Sequence, residues 1–254
     1  ALEASRIAGE LIMPLYTSTL SVEFKADRTP VTIADRNAEE AIRRFLEREC
    51  PGHGVLGEEF GETPGDGRHR WVLDPIDGTK PFIRRVPLFG TLVALERDGE
   101  PVVGVIGCHA AGETAYAATG LGAFVNGQPA SVSGTSTLGS KEVVLGRAGA
   151  VLCTSSTRSL YQRQRRGFDR VLASGAALQT WGDCFGYLMV ATGRADGMLD
   201  PEMSTWDAAA LFPIIREAGG RITTWEGRDQ VGGSVVATNG LLHDELLALI
   251  ANEP

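Results

Sequence analysis

Trp71-Val72-Leu73-Asp74-Pro75-Ile76-Asp77-Gly78-Thr79 is the stretch on which the reading of this chain turns. Its apolar start, Trp71-Val72-Leu73, predicts a strand. The rest then sets two carboxylates, a backbone carbonyl and a glycine turn at that strand's end. A proline-containing turn accounts for one aspartate through ordinary turn chemistry. It accounts less well for a pair followed by Gly-Thr, where backbone N–H groups and a hydroxyl can face a phosphate. Hard divalent cations such as Mg2+ take oxygen ligands, and phosphate esters take such cations. The stretch therefore predicts a metal-dependent phosphatase.

Three further acids join the argument. Glu58-Glu59 follows a predicted short strand, Gly54-Val55-Leu56-Gly57. Alone it reads as a solvated acidic pair, but beside a second strand end one glutamate completes a cation site. Asp207, in Ser204-Thr205-Trp206-Asp207-Ala208-Ala209-Ala210, heads a predicted helix, and Asp35 starts another after Thr32. An acid in a helix's first turn contributes roughly 0.3–1 kcal/mol through the helix dipole, so capping and ligation both remain open at each. Two carboxylates about 4 Å apart at an effective dielectric near 20 repel by about 4 kcal/mol. Gathering several of them is costly without a cation.

The rest of the chain narrows the field. With 254 residues, 43% of them hydrophobic and 22% charged, it is long enough for one large domain or two joined subdomains of ordinary globular composition. A net charge of -8 disfavours nonspecific nucleic-acid binding. Arg163, Arg165, Arg166 and Arg170 form the one basic cluster and read as a solvated helix end. Cys50, Cys108, Cys153 and Cys184 lack C-x-x-C spacing and read as core thiols of a reducing compartment. His53, His69, His109 and His243 show no metal spacing. No run approaches the roughly 18 apolar residues of a membrane span. The start, Ala1 to Tyr16, is amphipathic and unlike a secretory leader. The missing initiator Met suggests a trimmed terminus, and a cytoplasmic protein is expected.

Periodicity predicts helices over residues 1–19 and 34–49, a Lys/Asp/Thr/Pro-rich loop over 25–32 and a turn-rich loop over 61–67. Strands are expected at 91–96, 102–107 and 113–118, with a hairpin at Asn126-Gly127. A Ser/Gly/Thr-rich stretch, 131–141, suggests division into 1–135, carrying most of the acids, and 136–254. There, strands near 151–154, 195–199, 221–224 and 234–237 alternate with helices near 158–165, 183–192, 206–218 and 241–251. The fold class is layered α/β with mixed sheets. Gly120-Leu121-Gly122 lacks the third glycine of a dinucleotide fingerprint, and Gly78-Thr79-Lys80 lacks the P-loop pattern.

Gly57-Glu58-Glu59, the Trp71–Thr79 stretch, Trp206-Asp207-Ala208-Ala209 and Thr32-Ile33-Ala34-Asp35, in that combination, resemble the inositol-monophosphatase superfamily over nearly the whole chain. The resemblance implies an αβαβα sandwich hydrolysing a phosphate monoester with Mg2+, two or three ions per site, and a homodimer. It implies metal ligation by Glu58, Asp74, Asp77, Asp207 and the Ile76 carbonyl, and phosphate binding by Gly78 and Thr79. Asp35 with Thr79 would orient the attacking water, with Glu58 also among the catalytic groups.

Thr29-Pro30-Val31-Thr32, Gly78-Thr79-Lys80-Pro81-Phe82, Trp181-Gly182-Asp183-Cys184 and Glu217-Ala218-Gly219-Gly220 are most similar to the histidinol-phosphate phosphatase branch of that superfamily. Pro81, where that branch usually has a small polar residue, and Asp200, where Glu is usual, depart from its pattern. Asp183, Asp200 and Glu202 come from the region expected to face substrate. Carboxylates there suit the ammonium and imidazole donors of histidinol phosphate better than the hydroxyls of inositol. For Asp183 a helix cap, and for Glu202 simple surface exposure, remain competing readings. The alternatives are an inositol-1-phosphate or other sugar- or aminoalcohol-phosphate phosphatase and, from another class, a binding protein that kept the fold without turnover.

Overall fold

The computed structural model describes residues 1–18, 22–24, 30–139 and 149–251. The expected loop over 25–32 and the end of the expected boundary at 131–141 lie partly outside them.

In chain order the elements are α1 (Leu2–Tyr16), β1 (Val22–Phe24), β2 (Pro30–Thr32), α2 (Ile33–Glu49), β3 (Gly54–Gly57), β4 (Gly61–Thr63) and β5 (His69–Asp77). Next come α3 (Thr79–Ile83), β6 (Gly90–Arg97), β7 (Glu100–Cys108), β8 (Glu113–Ala118), β9 (Ala123–Val125) and β10 (Gln128–Pro129). After the crossing to the second sheet follow β11 (Val151–Cys153), α4 (Thr157–Arg163), α5 (Arg165–Ala173), β12 (Ala177–Gln179), α6 (Asp183–Ala191) and β13 (Gly197–Met203). The chain closes with α7 (Thr205–Ala208), α8 (Leu211–Glu217), β14 (Arg221–Thr223), β15 (Gly233–Thr238) and α9 (His243–Ile250).

Two sheets organise the molecule. An eight-stranded sheet runs in the order β10-β9-β8-β7-β6-β5-β3-β4, and a five-stranded sheet in the order β12-β11-β13-β15-β14. In the first, β3 and β5 pair parallel, and the remaining neighbours pair antiparallel. The second mixes parallel pairs around β11 with antiparallel pairs around β15.

Alternation along the strands decides the layers. Because successive side chains face opposite sides of a sheet, Trp71 and Leu73 pack with Ala4, Ala8 and Ile12 of α1 and Ala38, Ile42 and Leu46 of α2. Val72, between them, packs on the other face with Tyr187 and Leu188 of α6 and Leu211 and Ile215 of α8. Those helices also cover Met198, Val235 and Ala237 of the second sheet. Its far face, with Leu152, Leu199 and Val236, meets Val171 of α5 and Leu246 and Ile250 of α9. The order is helix, sheet, helix, sheet, helix: the αβαβα sandwich. Among the described residues no helix is long and apolar enough to cross a membrane.

Several boundaries differ from expectation. The helix expected over 158–165 is two helices broken at Gln164, and β12 lies where no strand was expected. The helix expected over 206–218 is split into α7 and α8 around Ala209-Ala210. Part of the turn-rich loop, Gly61–Thr63, is an exposed edge strand paired to β3. The two glycines of Gly120-Leu121-Gly122 donate their N–H groups to the Glu217 carboxylate at 2.8 and 2.7 Å, which pins that turn to the end of α8.

Candidate active site

A break in strand register builds the floor of the site. Along β5 the partners are Asp74 with Leu92, then Asp77 with Gly90, so β5 uses one more residue than β6 between the same two pairings. Such a bulge is where a central strand tolerates proline, and Pro75 occupies it, its carbonyl accepting the Thr91 hydroxyl at 2.8 Å. The extra residue also reverses the alternation. Ile76 falls in the α1/α2 core with Trp71 and Leu73, which returns Asp77 to the face that carries Asp74. Residues three apart in a regular strand would face opposite ways; here both carboxylates face the same cleft.

Asp207 joins them from the second half of the chain. Asp74, Asp77 and Asp207 each offer an oxygen within 4.8 Å of the others. The two readings of Asp207 are compatible in geometry: it belongs to a capping box with Ser204, whose N–H donates to Asp207 Oδ2 at 2.7 Å, and it also faces the cleft. Asp77 accepts the N–H of Cys184, tying β5 to the start of α6. Glu58 follows β3 and lines the same cleft of about 400 Å³.

The electrostatics follow from crowding acids away from water. Burial first, then Glu58, Asp77 and Asp207, holds the Asp74 carboxyl well above its ordinary range. Asp77 is raised by burial and by Asp183 and Asp207, against the opposing Cys184 N–H. Asp207 is raised to about 6, chiefly by burial, with the Ser204 N–H opposing and Glu58 adding. Asp74 Oδ1 is buried and has no hydrogen-bond partner among the described residues. An orphaned buried carboxylate oxygen beside two more acids is the donor set that a hard divalent cation takes, since such ions bind oxygen ligands and offset the repulsion. The residues fit the metal.

The opposite wall carries a second group of acids. Asp200 is 3% exposed, and both its oxygens are engaged, Oδ1 by the Ser155 N–H and Oδ2 by the Tyr187 hydroxyl, each at 3.0 Å. Burial raises its pKa, and those bonds oppose the shift. Asp183 begins α6 with φ +52, a left-handed conformation uncommon for a residue with a side chain. Its N–H donates to Ser155 Oγ at 2.8 Å. The preceding Gly182 approaches so closely that a Cβ there would lie 2.4 Å from Ser155 Cα. Across the cleft, a Cβ on Gly78 (φ +88) would come within 3.1 Å of Asp183 Oδ2. Burial and then Asp200 raise Asp183 to about 7, with Lys80 partly opposing. Glu202 lines the rim, but it is exposed and paired with Arg163.

The remaining expected residues divide. Ile76, Gly78 and Thr79 line the cleft, and the Thr79 hydroxyl donates to the Ile76 carbonyl at 3.2 Å. Asp35 is buried in the first turn of α2 and is not among the residues lining the cleft. Lys80, Ser155, Ser156 and Ser159 line it as well, and sequence reasoning did not single them out. The Ser155–Ser159 segment lies far along the chain from the acids, and no spacing signal marks it.

His53, Asp66 and His69, which sequence spacing did not connect, also bring potential ligand atoms within 4.8 Å. Their wiring is structural. His69 Nδ1 meets Asp66 Oδ2 at 2.9 Å, and the two imidazoles stack at 4.6 Å. The Trp71 indole, a donor only, gives its N–H to His53 Nδ1 at 3.1 Å. That bond occupies the Nδ1 lone pair of His53.

Comparison with known proteins agrees with this fold. The family model described as the inositol monophosphatase family matches residues 1–254. A histidinol-phosphatase of Chlorobaculum parvum is 40% identical, the alignment covering 99% of this chain and 95% of that protein. Another, of Mycobacterium tuberculosis, is 42% identical over 90% of this chain and 87% of its own length. The crystal structure of the extragenic suppressor protein suhB from Bartonella henselae superposes with a TM-score of 0.90 at 30% identity, covering 100% of this chain and 97% of that one. The chain belongs to the inositol monophosphatase family.

Proposed function

We propose that the protein is a Mg2+-dependent phosphomonoesterase that hydrolyses histidinol phosphate to histidinol and phosphate. The observation that carries the reading is the composition of one cleft. Among the described residues, seven acids line it, Glu58, Asp74, Asp77, Asp183, Asp200, Glu202 and Asp207, against one lysine, Lys80. Asp74, Asp77, Asp207 and Glu58 would hold the divalent cations, with the Ile76 carbonyl as a further oxygen donor. Even two such ions leave an excess of negative charge when the acids are ionised. A substrate whose alcohol carries an ammonium and an imidazole suits that excess, whereas inositol brings hydroxyls alone. The relatives named histidinol-phosphatase support the same substrate.

Bound divalent cations supply Lewis-acid polarisation of the phosphoryl group and charge neutralisation at the leaving oxygen. The chain's own residues position the partners. Thr79 donates its hydroxyl proton to the Ile76 carbonyl, so its oxygen lone pairs are turned outward to accept from a water O–H. The left-handed turn at Gly78 brings backbone rather than side chain against the phosphate position. Asp183, half-buried and lining the cleft, would receive the ammonium or imidazole. The P–O ester bond breaks as water attacks in line, and positioning plus charge stabilisation suffice for such a transfer. Asp35, buried in the first turn of α2, would act with Thr79 to orient that water.

The deciding experiment compares turnover of histidinol phosphate, inositol 1-phosphate and a nucleotide bisphosphate with Mg2+. The expected result is the highest kcat/KM for histidinol phosphate. A preference for inositol 1-phosphate would favour the sugar-phosphate reading, and no phosphate release from any ester would favour a binding protein.

A further inference from the structure

We infer that Glu39 is a positioning residue for metal binding: its buried carboxylate, braced by Arg43, holds the β3–β4 turn that presents Glu58 to the cleft. The inference rests on the reading of Glu58 as a metal ligand.

Glu39 lies one turn after Asp35 in α2 and is 0% exposed. Its Oε2 accepts the Glu59 N–H at 2.8 Å, and its Oε1 accepts the Phe60 N–H at 3.2 Å. Both donors belong to the residues directly after Glu58. On the other side of Glu58, Gly57 leaves the space the carboxylate fills, since a Cβ there would lie 2.0 Å from Glu39 Oε1. The Glu58 N–H itself donates to the Leu73 carbonyl of β5 at 3.2 Å, one residue before Asp74. The backbone around Glu58 is therefore fixed on one side to the strand that carries the other acids and on the other to Glu39.

Arg43 completes the brace from the next turn of α2. Its Nε donates to Glu39 Oε1 at 2.9 Å, its Nη1 donates to Thr63 Oγ1 at 3.0 Å, and its Nη2 donates to the Gly61 carbonyl. One ion pair thus holds the turn and its following strand to α2. A buried ion pair is weak evidence for stability, because apolar replacements of similar volume are often as stable. What an apolar pair cannot do is accept two successive N–H groups at a fixed place. A carboxylate beneath a turn does so, and it sets the direction in which the intervening side chain leaves the backbone. Partners one step removed from a ligand act on metal affinity in this way.

The test combines Glu39→Ala, the milder Glu39→Gln, Glu58→Gln and the double variant Glu39→Gln/Glu58→Gln. Mn2+ affinity is measured calorimetrically on metal-free protein, alongside the Mg2+ dependence of turnover and the metal-free Tm. Glu39→Ala is expected to weaken metal affinity by about 10- to 100-fold, with turnover at saturating Mg2+ reduced much less. Glu39→Gln keeps one acceptor oxygen, so it should fold and fall between the wild type and Glu39→Ala. In the Glu58→Gln background, Glu39→Gln should change affinity by less than about twofold, because the two residues act through one site.

A lowered Tm with metal affinity unchanged in both Glu39 variants would overturn the inference and leave Glu39 as a structural staple. So would a full Glu39 effect persisting in the Glu58→Gln background. If Glu58→Gln alone leaves metal affinity untouched, the assignment of Glu58 as a ligand fails and the inference falls with it.

Discussion

Asp74 on β5 and Asp200 on β13 make an instructive pair. Each is almost wholly buried, at 2% and 3% exposure, each lies on a strand that lines the cleft, and each has its pKa raised by burial. They differ in their hydrogen bonds. Both Asp200 oxygens receive a donor, from Ser155 and Tyr187, while Asp74 Oδ1 has no partner among the described residues and faces three other acids. A buried carboxylate with a donor on each oxygen is held in place by its surroundings. One with an unpartnered oxygen among like charges suits a cation. Exposure alone would have ranked the two together.

The largest effect that could break this comparison comes from neutralising each acid. Asp74→Asn is expected to lower kcat by on the order of 10²–10³-fold, through lost electrostatic stabilisation of the reaction. The metal-free protein should nevertheless become more stable, by about 1–3 kcal/mol, because an uncompensated buried charge is removed. Asp200→Asn should instead lose about 1–3 kcal/mol, since one of its two donors is left facing an amide N–H. Denaturant melts in chelator supply both numbers. Equal destabilisation by the two variants would erase the distinction drawn between them.

The pH dependence of the metal-free protein sharpens it further. Asp207 is raised from 3.8 to about 6 and Asp183 from 3.8 to about 7, so across that window the folded state holds protons that the unfolded chain has released. Stability rises with pH only where the unfolded state binds more protons, so here it must fall. This contribution is complete below about pH 4 and is lost as pH rises through 6 to 7. The expected outcome is a metal-free Tm that declines from pH 5 to pH 8, with a loss of roughly a few kcal/mol at most. Added Mg2+ should reverse the slope, because cations bind the ionised acids that otherwise repel. A metal-free Tm that climbs through this range would remove the charge-crowding account of the site.

How much of this was legible beforehand depends on which physical signal carried it. The layered α/β class and most strands were readable because alternation and turn residues are local, whereas the αβαβα order was implied only by the family resemblance. The acids of β5 were readable because Pro-Ile between two aspartates is hard to explain by turn chemistry alone. Their convergence was not, since it depends on a one-residue register break against β6 that no single strand's sequence displays. α5 escaped because Gly167 and four arginines around it mask its apolar face, and Arg170 in fact donates to the Leu249 and Ala251 carbonyls at the end of α9. β12 is three residues long, too short for periodicity to register. Glu39 was invisible for a different reason: a glutamate in a helix rich in Arg and Glu looks solvated until the turn that covers it is in place.

The smallest effects separate the three acids of the far wall. Asp183 is half-buried and lies close to Gly78, Asp200 bonds to Ser155 and Tyr187, and Glu202 is exposed at the rim beside Arg163. Geometry therefore orders their contributions to a cationic substrate. Asp183→Asn should raise KM for histidinol phosphate by about 10-fold, the size of one charge-assisted hydrogen bond, and alter KM for an uncharged sugar phosphate much less. The left-handed backbone there accepts asparagine as readily as aspartate, so a folding defect is not expected to confuse the measurement. Asp200→Asn should act on substrates of both kinds alike, through a shifted wall. Glu202→Gln should change KM by no more than about twofold, because an exposed ion pair is screened and contributes little. If Glu202 instead proves the most selective of the three, substrate cations are held at the rim, and Asp183 keeps its strained place for a reason other than recognition.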